Sequence, residues 1–519
     1  MKKFLLFPSV LLWASLSPAQ TITYASNYPG ADVGEKINAA DAAAGAGPAD
    51  IWVTAAGKVS TAPTIRSNHR LILTVPLTWT VAPVLNSNTQ IIGTGLIATQ
   101  TVNAPSAWIV GSNLSHVEIN NLWVTNARIP STEGSQILAC LTCSNIVMNW
   151  NHGFRIGIFR SGTTSANYAA VTSTALTTNV HLEGNRIDGD EFGPITSPRV
   201  ITLAFLMFVK DVTLISNDAF NCEYNVEWWG GNAAEEGRTL TNPRWTRRIN
   251  VKGGTAINVV AGFWGSMGQE IAVTGVTADT CLDVCLDAES STNVVFSGFT
   301  VHNSGNGGLA TFFGSVANEF GPGIVTSDTA GSLLMFLHNV SADPTQSFAV
   351  KIHNVKFICS DPAALCNLTA DPIGFLQFTD NEVINSALTF VQTNNSGFEI
   401  SRNCFSYTFA PATFSAIKIP GQVFNYRPIS VIAGNTFISR VSQPAGTFAI
   451  NATITDANFS DILFVRDNTT QGFTNDAKFL ANSSNTGISP TFIFMKNTWG
   501  ANSVSKSMVG RLGRFIGSN

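Results

Sequence analysis

A six-residue pattern (apolar, any, apolar, any two, then Asn) recurs along the chain and constrains its fold more than any other feature. It reads VHLEGN ending at Asn185, VTLISN at Asn217, LQFTDN at Asn381, FEISRN at Asn403, LFVRDN at Asn468 and FIFMKN at Asn497. Weaker copies end at Leu122, Asn151, Gly254, Val276, Phe299, Val355 and Asn435. Successive ends lie 22 to 37 residues apart, except for one interval of 56 that corresponds to about two units. Such periods are those of a solenoid. Alternating apolar residues predict short half-buried strands, and no unit carries a long 3.6-residue apolar period that would call for a helix. Helical solenoids and βαβ units are thereby excluded. A unit of 22 or 23 residues accommodates three short strands and their turns, the coil of a parallel β-helix. One coil alone cannot bury its inward face, so coils stack about 4.8 Å apart around a shared core. The repeated Asn suits a turn that adopts the left-handed region and stacks its amide on the Asn above and below, so these residues are assigned to architecture.

The fold class expected is all-β, a right-handed parallel β-helix formed by a single domain over 21–519, with coils from about 70 to 500. Its open N-terminal end needs a cover. GADVGEKINAADAAAGAG, residues 30–47, supplies one: Asp32 is placed to cap a helix, Val33, Ile37 and Ala40 share a face, and glycine ends it. Residues 504–519 hold basic residues and glycine without a strand pattern and are expected to be a loose tail.

MKKFLLFPSVLLWASLSPAQ has the basic start, apolar run and small-residue end of a secretory signal over 1–20, so the mature chain is expected to be secreted or periplasmic. Later apolar runs such as ITLAFLMFV (201–209) are too short for a membrane span. Only 12% of residues are charged and the net charge is −4, which gives no basis for binding nucleic acid. Of the eight cysteines, Cys359 and Cys366 enclose SDPAAL and form the best disulfide candidate. Cys281 and Cys285, if they share one strand, lie too far apart to bridge.

YPGADVGEKINAADAA, the following DIWVTAAG, TQIIGTG at 89–95 and the coils ending in Asn together resemble bacterial secreted right-handed parallel β-helix proteins of the pectate lyase-like superfamily. The resemblance implies a long groove on one parallel sheet that binds an extended polysaccharide, in a family with lyase, hydrolase and epimerase members. The paired-Asp and Gly-His-Gly series of polygalacturonases is absent, and NHGF (151–154) is only a faint echo of the latter.

The candidate site comes from two segments aligned by their turn flanks, YNVEWWGG (224–231) and DVCLDAESS (283–291). With Val226 and Leu286 inward, Glu227 and Trp229 share an outward face with Asp287 and Glu289, because strand side chains alternate. Asp283 is the further candidate acid, and Trp245 and Trp264 extend the aromatic surface. Carboxylates at such spacings span the separations used by retaining and inverting glycosidases. One acid held protonated by its neighbours serves as proton donor while another ionises. Hydrolysis requires no cofactor; for β-elimination the same acids suit Ca²⁺, with Arg247 and Arg248 holding the substrate's acid groups. The function expected is a polysaccharide-active enzyme, glycoside hydrolase or polysaccharide lyase, acting as a monomer. The alternative is a non-catalytic glycan-binding or adhesin-like β-helix. Asp188, Asp190, Glu191, His152 and His302 are weaker candidates.

Overall fold

The computed structural model describes residues 20–517 apart from 129–134, 163–172, 190–200, 231–245, 313–314, 316, 339–348, 372–374, 392–393, 396, 425–428, 456–461, 483–490, 502 and 510–513. The segment expected to be a signal therefore lies outside the described residues, save Gln20. What is described is a right-handed parallel β-helix with three long parallel sheets. In one complete coil, Ala261–Ser266 lies in the second sheet, Gly268–Thr274 in the first and Thr277–Cys281 in the third. The next coil begins at Val284–Glu289. One continuous core of Val, Ile, Leu and Phe runs the length of the molecule. No helix among the described residues is long and apolar enough to cross a membrane.

The repeated Asn forms a buried ladder. Asn403 donates through its backbone N and its Nδ2 to Asn435 Oδ1, at 3.0 and 2.9 Å, and Asn435 does the same to Asn468 Oδ1, at 3.1 and 3.0 Å. Each Nδ2 also donates to a carbonyl on the preceding coil, as Asn435 does to Ile400. The same bonding joins Asn151, Asn185 and Asn217, and separately Asn381 through Asn497. These asparagines are buried, and the stacked amides supply hydrogen-bond partners for one another and for the neighbouring backbone. Between the two ladders the position is held by Gly254, Val276, Phe299, Gly323 and Val355. Phe299 pairs with Gly323 and Gly323 with Val355, so the 56-residue interval contains one unrecognised rung. Gly323 replaces Asn there because a Cβ would stand 2.2 Å from the Phe299 ring.

The N-terminal end is closed by one α-helix, Val33–Ala44, with Ile37 and Ala40 buried against the first coils. Asp32 caps it by accepting from Glu35 N at 2.8 Å, and it also ties the helix to the next coil by accepting from Ser60 N and Thr61 N. Burial opposes ionisation of Asp32, but these bonds and that of the Ser60 hydroxyl outweigh it and hold its carboxyl well below the usual range. Coils begin earlier than expected, with Ala49–Val53 already paired to His69–Leu73. The expected loose tail is corrected: Val504–Val509 pairs with Asn475–Asn482, and Arg514–Ile516 with Thr491–Met495. Ser505, Lys506 and Ser507 are exposed in the first of these strands, and no apolar alternation marks them as strand.

Candidate functional site: a buried acid on the outer face

Strands of the second sheet enter through a corner at which two successive side chains both face the core. Cys285 and Leu286 do so, as do Leu203 and Ala204, and Leu334 and Met335. Alternation resumes after the corner, so Ala288 packs in the core while Asp287 and Glu289 stand on the outer face. Before the corner, Val284 also lies outside. It joins Ala261 and Ala310 in a small apolar cluster lined by Tyr224, Trp264 and Phe312 and separate from the main core. The floor of this outer recess is well buried, with Ala310 at 0% and Val284 at 3% exposure.

The ladder register fixes two outward columns across this recess. Glu227 pairs with Trp264, and the Phe263–Leu286 pair sets Trp264 beside Asp287. Asp287 pairs with Ala310 and Ala310 with Phe336. In the second column Trp229 pairs with Ser266, Ser266 with Glu289, Glu289 with Phe312, and Phe312 with His338. Tyr224 and Trp264 meet edge to face at 5.2 Å on one side of the acids. Phe312 and Phe336 meet at 5.3 Å on the other, with His338 stacked on Phe336 at 5.8 Å. The acids thus sit between two aromatic surfaces.

YNVEWWGG puts this arrangement in place by splitting its tryptophans. Trp228 points inward and is fully buried, while Trp229 faces out. Room for the inner indole comes from Gly265 and Gly268, where a Cβ would meet it at 2.5 and 2.6 Å. Trp228 Nε1 donates to Ser291 Oγ at 3.4 Å, and Ser291 Oγ donates to Glu289 O at 2.7 Å. A core side chain therefore braces the strand that carries the acids.

Asp287 is 2% exposed, and its Oδ1 has no hydrogen-bond partner. Desolvation, then the charges of Glu289 and Asp283, push its carboxyl well above the ordinary aspartate range. Desolvation and Asp283 raise Glu289 to about 7. Tyr224 is raised as well, first by burial and then by Glu223 and Glu227. The recess thus contains a carboxyl whose protonated form is favoured by its surroundings and whose Oδ1 has no hydrogen-bond partner. Asp283 itself is exposed at the corner, where its Oδ1 accepts from Asn306 Nδ2 at 2.8 Å.

A raised pKa has a consequence for stability. Glu289 in the unfolded chain releases its proton near 4.5, whereas the folded chain holds it to about 7. Within that window the folded state binds more protons, so stability falls as pH rises, and Asp287 acts in the same direction. Glu289→Gln is expected to leave stability nearly unchanged at pH 4 and to raise it by about 3 kcal/mol at pH 8. Guanidinium denaturation across that range measures it, and a variant less stable than the parent at pH 8 contradicts this electrostatic account.

The other predicted site residues separate. Arg247 and Arg248 belong to Thr246–Lys252 of the first sheet, not to the face that carries Asp287, which corrects their assignment to a common site. Arg248 is engaged by Asp211, through Nε at 2.6 Å and Nη2 at 3.0 Å, in an open groove with His181, Asn250 and Glu270. Asp283 is not in strand alternation with Asp287, because the corner intervenes. Trp245, Asp190 and Glu191 lie outside the described residues. Asp188, His152 and His302 belong to the third sheet: Asp188 accepts from Asn221, His152 packs on Trp123 at 4.0 Å, and His302 lies between Asp279 and Asp328. Among the described residues no group of three or more His, Cys, Asp or Glu is placed to hold a metal ion. Sequence reasoning missed Tyr224, Ala310, Phe312, Phe336 and His338; the GGLATFF segment (307–313) held the signal in its small residues followed by aromatics.

No protein-family model matches the sequence, and no curated protein does. Solved structures with a similar course of chain include PfbA, a surface adhesin of Streptococcus pneumoniae, at 11% identity, 94% of this chain, 93% of that one and a TM-score of 0.33. A tailspike protein mutant of E. coli bacteriophage HK620 in complex with a pentasaccharide matches at 10% identity, 92% and 76% coverage and a TM-score of 0.39. The Azotobacter vinelandii mannuronan C-5 epimerase AlgE4 A-module matches at 9% identity, 96% and 100% coverage and a TM-score of 0.21. An adhesin, a tailspike and an epimerase thus stand side by side, and at these similarities none bears on the activity of this chain. Its fold is defined by its own three ladders.

Proposed function

We propose that the chain is an exported glycan-cleaving enzyme that hydrolyses glycosidic bonds on the outer face of its second sheet. One observation carries the reading: Asp287 is a buried carboxyl with an unpartnered oxygen on the outside of the solenoid, beside aromatic rings. A desolvated carboxyl costs stability when ionised, and carboxyls perturbed in this way cluster at sites that move protons. Asp287 donates its proton to the leaving oxygen. Glu227, two rungs away across Trp264, lies about 9.6 Å distant along the backbone ladder. With side-chain reach this falls within the span of roughly 6.5–9.5 Å over which a second carboxylate activates water for inversion. Burial, and then the charges of Glu289 and Asp283, favour the protonated form of Asp287. The apolar face of a sugar ring lies on Trp264, and neighbouring units reach Trp229 on one side and Phe312 and Phe336 on the other.

Hydrolysis is favoured over β-elimination because Arg247 and Arg248 are on another sheet. Incubation with neutral and uronic polysaccharides is expected to give new reducing ends without the ultraviolet absorbance of an unsaturated uronate. That absorbance, with activity lost to a chelator, indicates a Ca²⁺-dependent lyase instead; binding without cleavage indicates an adhesin-like protein. Trp264→Ala is expected to raise KM or Kd for an oligosaccharide about 10- to 50-fold, since an aromatic plate of this kind contributes roughly 1–3 kcal/mol of contact. Unchanged affinity by titration calorimetry removes Trp264 from the binding surface.

A further inference from the structure

The corner that carries Asp283 also brings two cysteines together. Cys281 ends the third-sheet strand Thr277–Cys281, and Cys285 is the second residue of Val284–Glu289. The chain bends between them at Leu282 and Asp283, both exposed, while the two thiols lie in the core at 4% and 0% exposure. Their Sγ atoms are 2.7 Å apart, well inside van der Waals contact. A bond requires them to come about 0.7 Å closer. The expectation that they are too distant assumed a single strand, and the corner removes it.

We propose that Cys281 and Cys285 form a disulfide that fixes the corner beneath the acid recess, so that Asp283 and Asp287 are held in register by a covalent tie. The residues so enclosed are Leu282, Asp283 and Val284, and Val284 lines the floor of the recess. The reaction is thiol–disulfide exchange with an oxidised dithiol or oxidised glutathione. One thiolate attacks the oxidant's disulfide and expels a thiol. The second then attacks the mixed disulfide, forming the Sγ–Sγ bond and expelling the other thiol, so two protons and two electrons leave the pair. Because both thiols are buried in the finished coil, the bond forms while the chain folds. The chain already closes one such bond, Cys359–Cys366.

The tie stands on geometry alone; its effect on catalysis rests on the hydrolase reading. The full chain, refolded from the reduced, denatured state in a glutathione redox buffer, is alkylated without reduction and mapped by peptide mass. A linked peptide containing Cys281 and Cys285 is expected. Complete alkylation of both, or linkage of either to another cysteine, overturns the proposal whatever the activity. The Cys281→Ser/Cys285→Ser variant is expected to lose about tenfold in kcat with little change in KM, as a small displacement of a reacting group does. It is also expected to move the alkaline limb of the pH–rate profile to lower pH as water reaches Asp287. Should the parent chain cleave no glycan, the same loosening is read from stability, whose fall between pH 4 and 8 is expected to flatten in the variant. A linked pair with unaltered pH dependence in both readouts overturns the positioning role and leaves only a structural bond.

Discussion

Asp287→Asn is expected to lower kcat for glycan cleavage by about 10³-fold while changing KM less than about threefold, the loss typical of removing a general acid. The substitution is nearly isosteric, and an amide is neutral, as is the protonated carboxyl that burial favours. Folding and substrate binding should survive it. What it removes is the proton given to the leaving oxygen. A substrate with an activated aryl leaving group needs less protonation, so its loss is expected to be much smaller than that of a natural glycan. This difference separates a proton donor from a merely structural carboxyl, for which both substrates suffer alike. Undiminished cleavage of the natural glycan by Asp287→Asn ends the assignment.

Asn435→Ala is expected to destabilise the protein by about 3–5 kcal/mol, a large effect for a polar residue without a chemical role. Asn435 is fully buried, and its side chain makes four bonds: two from Asn403 to its Oδ1, and two from its Nδ2 to Ile400 O and Asn468 Oδ1. Alanine leaves the Asn403 N–H and the Ile400 carbonyl in the core without those partners, and each orphaned group costs about 1–3 kcal/mol. Because each coil leans only on its neighbours, the damage should concentrate near the rung, where amide exchange of residues 400–470 accelerates before the N-terminal coils respond. A shift in the guanidinium midpoint equivalent to less than about 1 kcal/mol means that water or backbone relaxation satisfies these groups, and that the ladder is not a stability element.

How far each feature could be read in the sequence depends on how local its cause is. The Asn rungs are legible because the turn that needs them repeats, and each is followed by the same strand. The rung at Gly323 is not, since the demand for glycine comes from the Phe299 ring on the preceding coil. The end strands at 504–509 and 514–516 are not legible because no apolar alternation marks them. Glu227, Trp229, Asp287 and Glu289 fall on one outer face as strand parity requires, with Trp264 on the rung between. Arg247 and Arg248 were misjoined because no local pattern records that Thr246–Lys252 belongs to the first sheet. Cys281, Asp283 and Cys285 were misread for the same reason: a corner with two successive inward residues breaks the parity on which the reading depended.

The sequence by itself determined the stacked coils, the capping helix and the outward set of acids and aromatics, because these follow from periodicity and from strand alternation. Only the tertiary structure decided that Asp287 is buried while Asp283, four residues earlier, is exposed. Desolvation is a property of the space around a side chain. That space is shaped by Trp264 on one neighbouring coil and Ala310 on the other, each more than twenty residues away, and by a corner that no local pattern records. The same aspartate on a flat outer face would be an ordinary solvated charge.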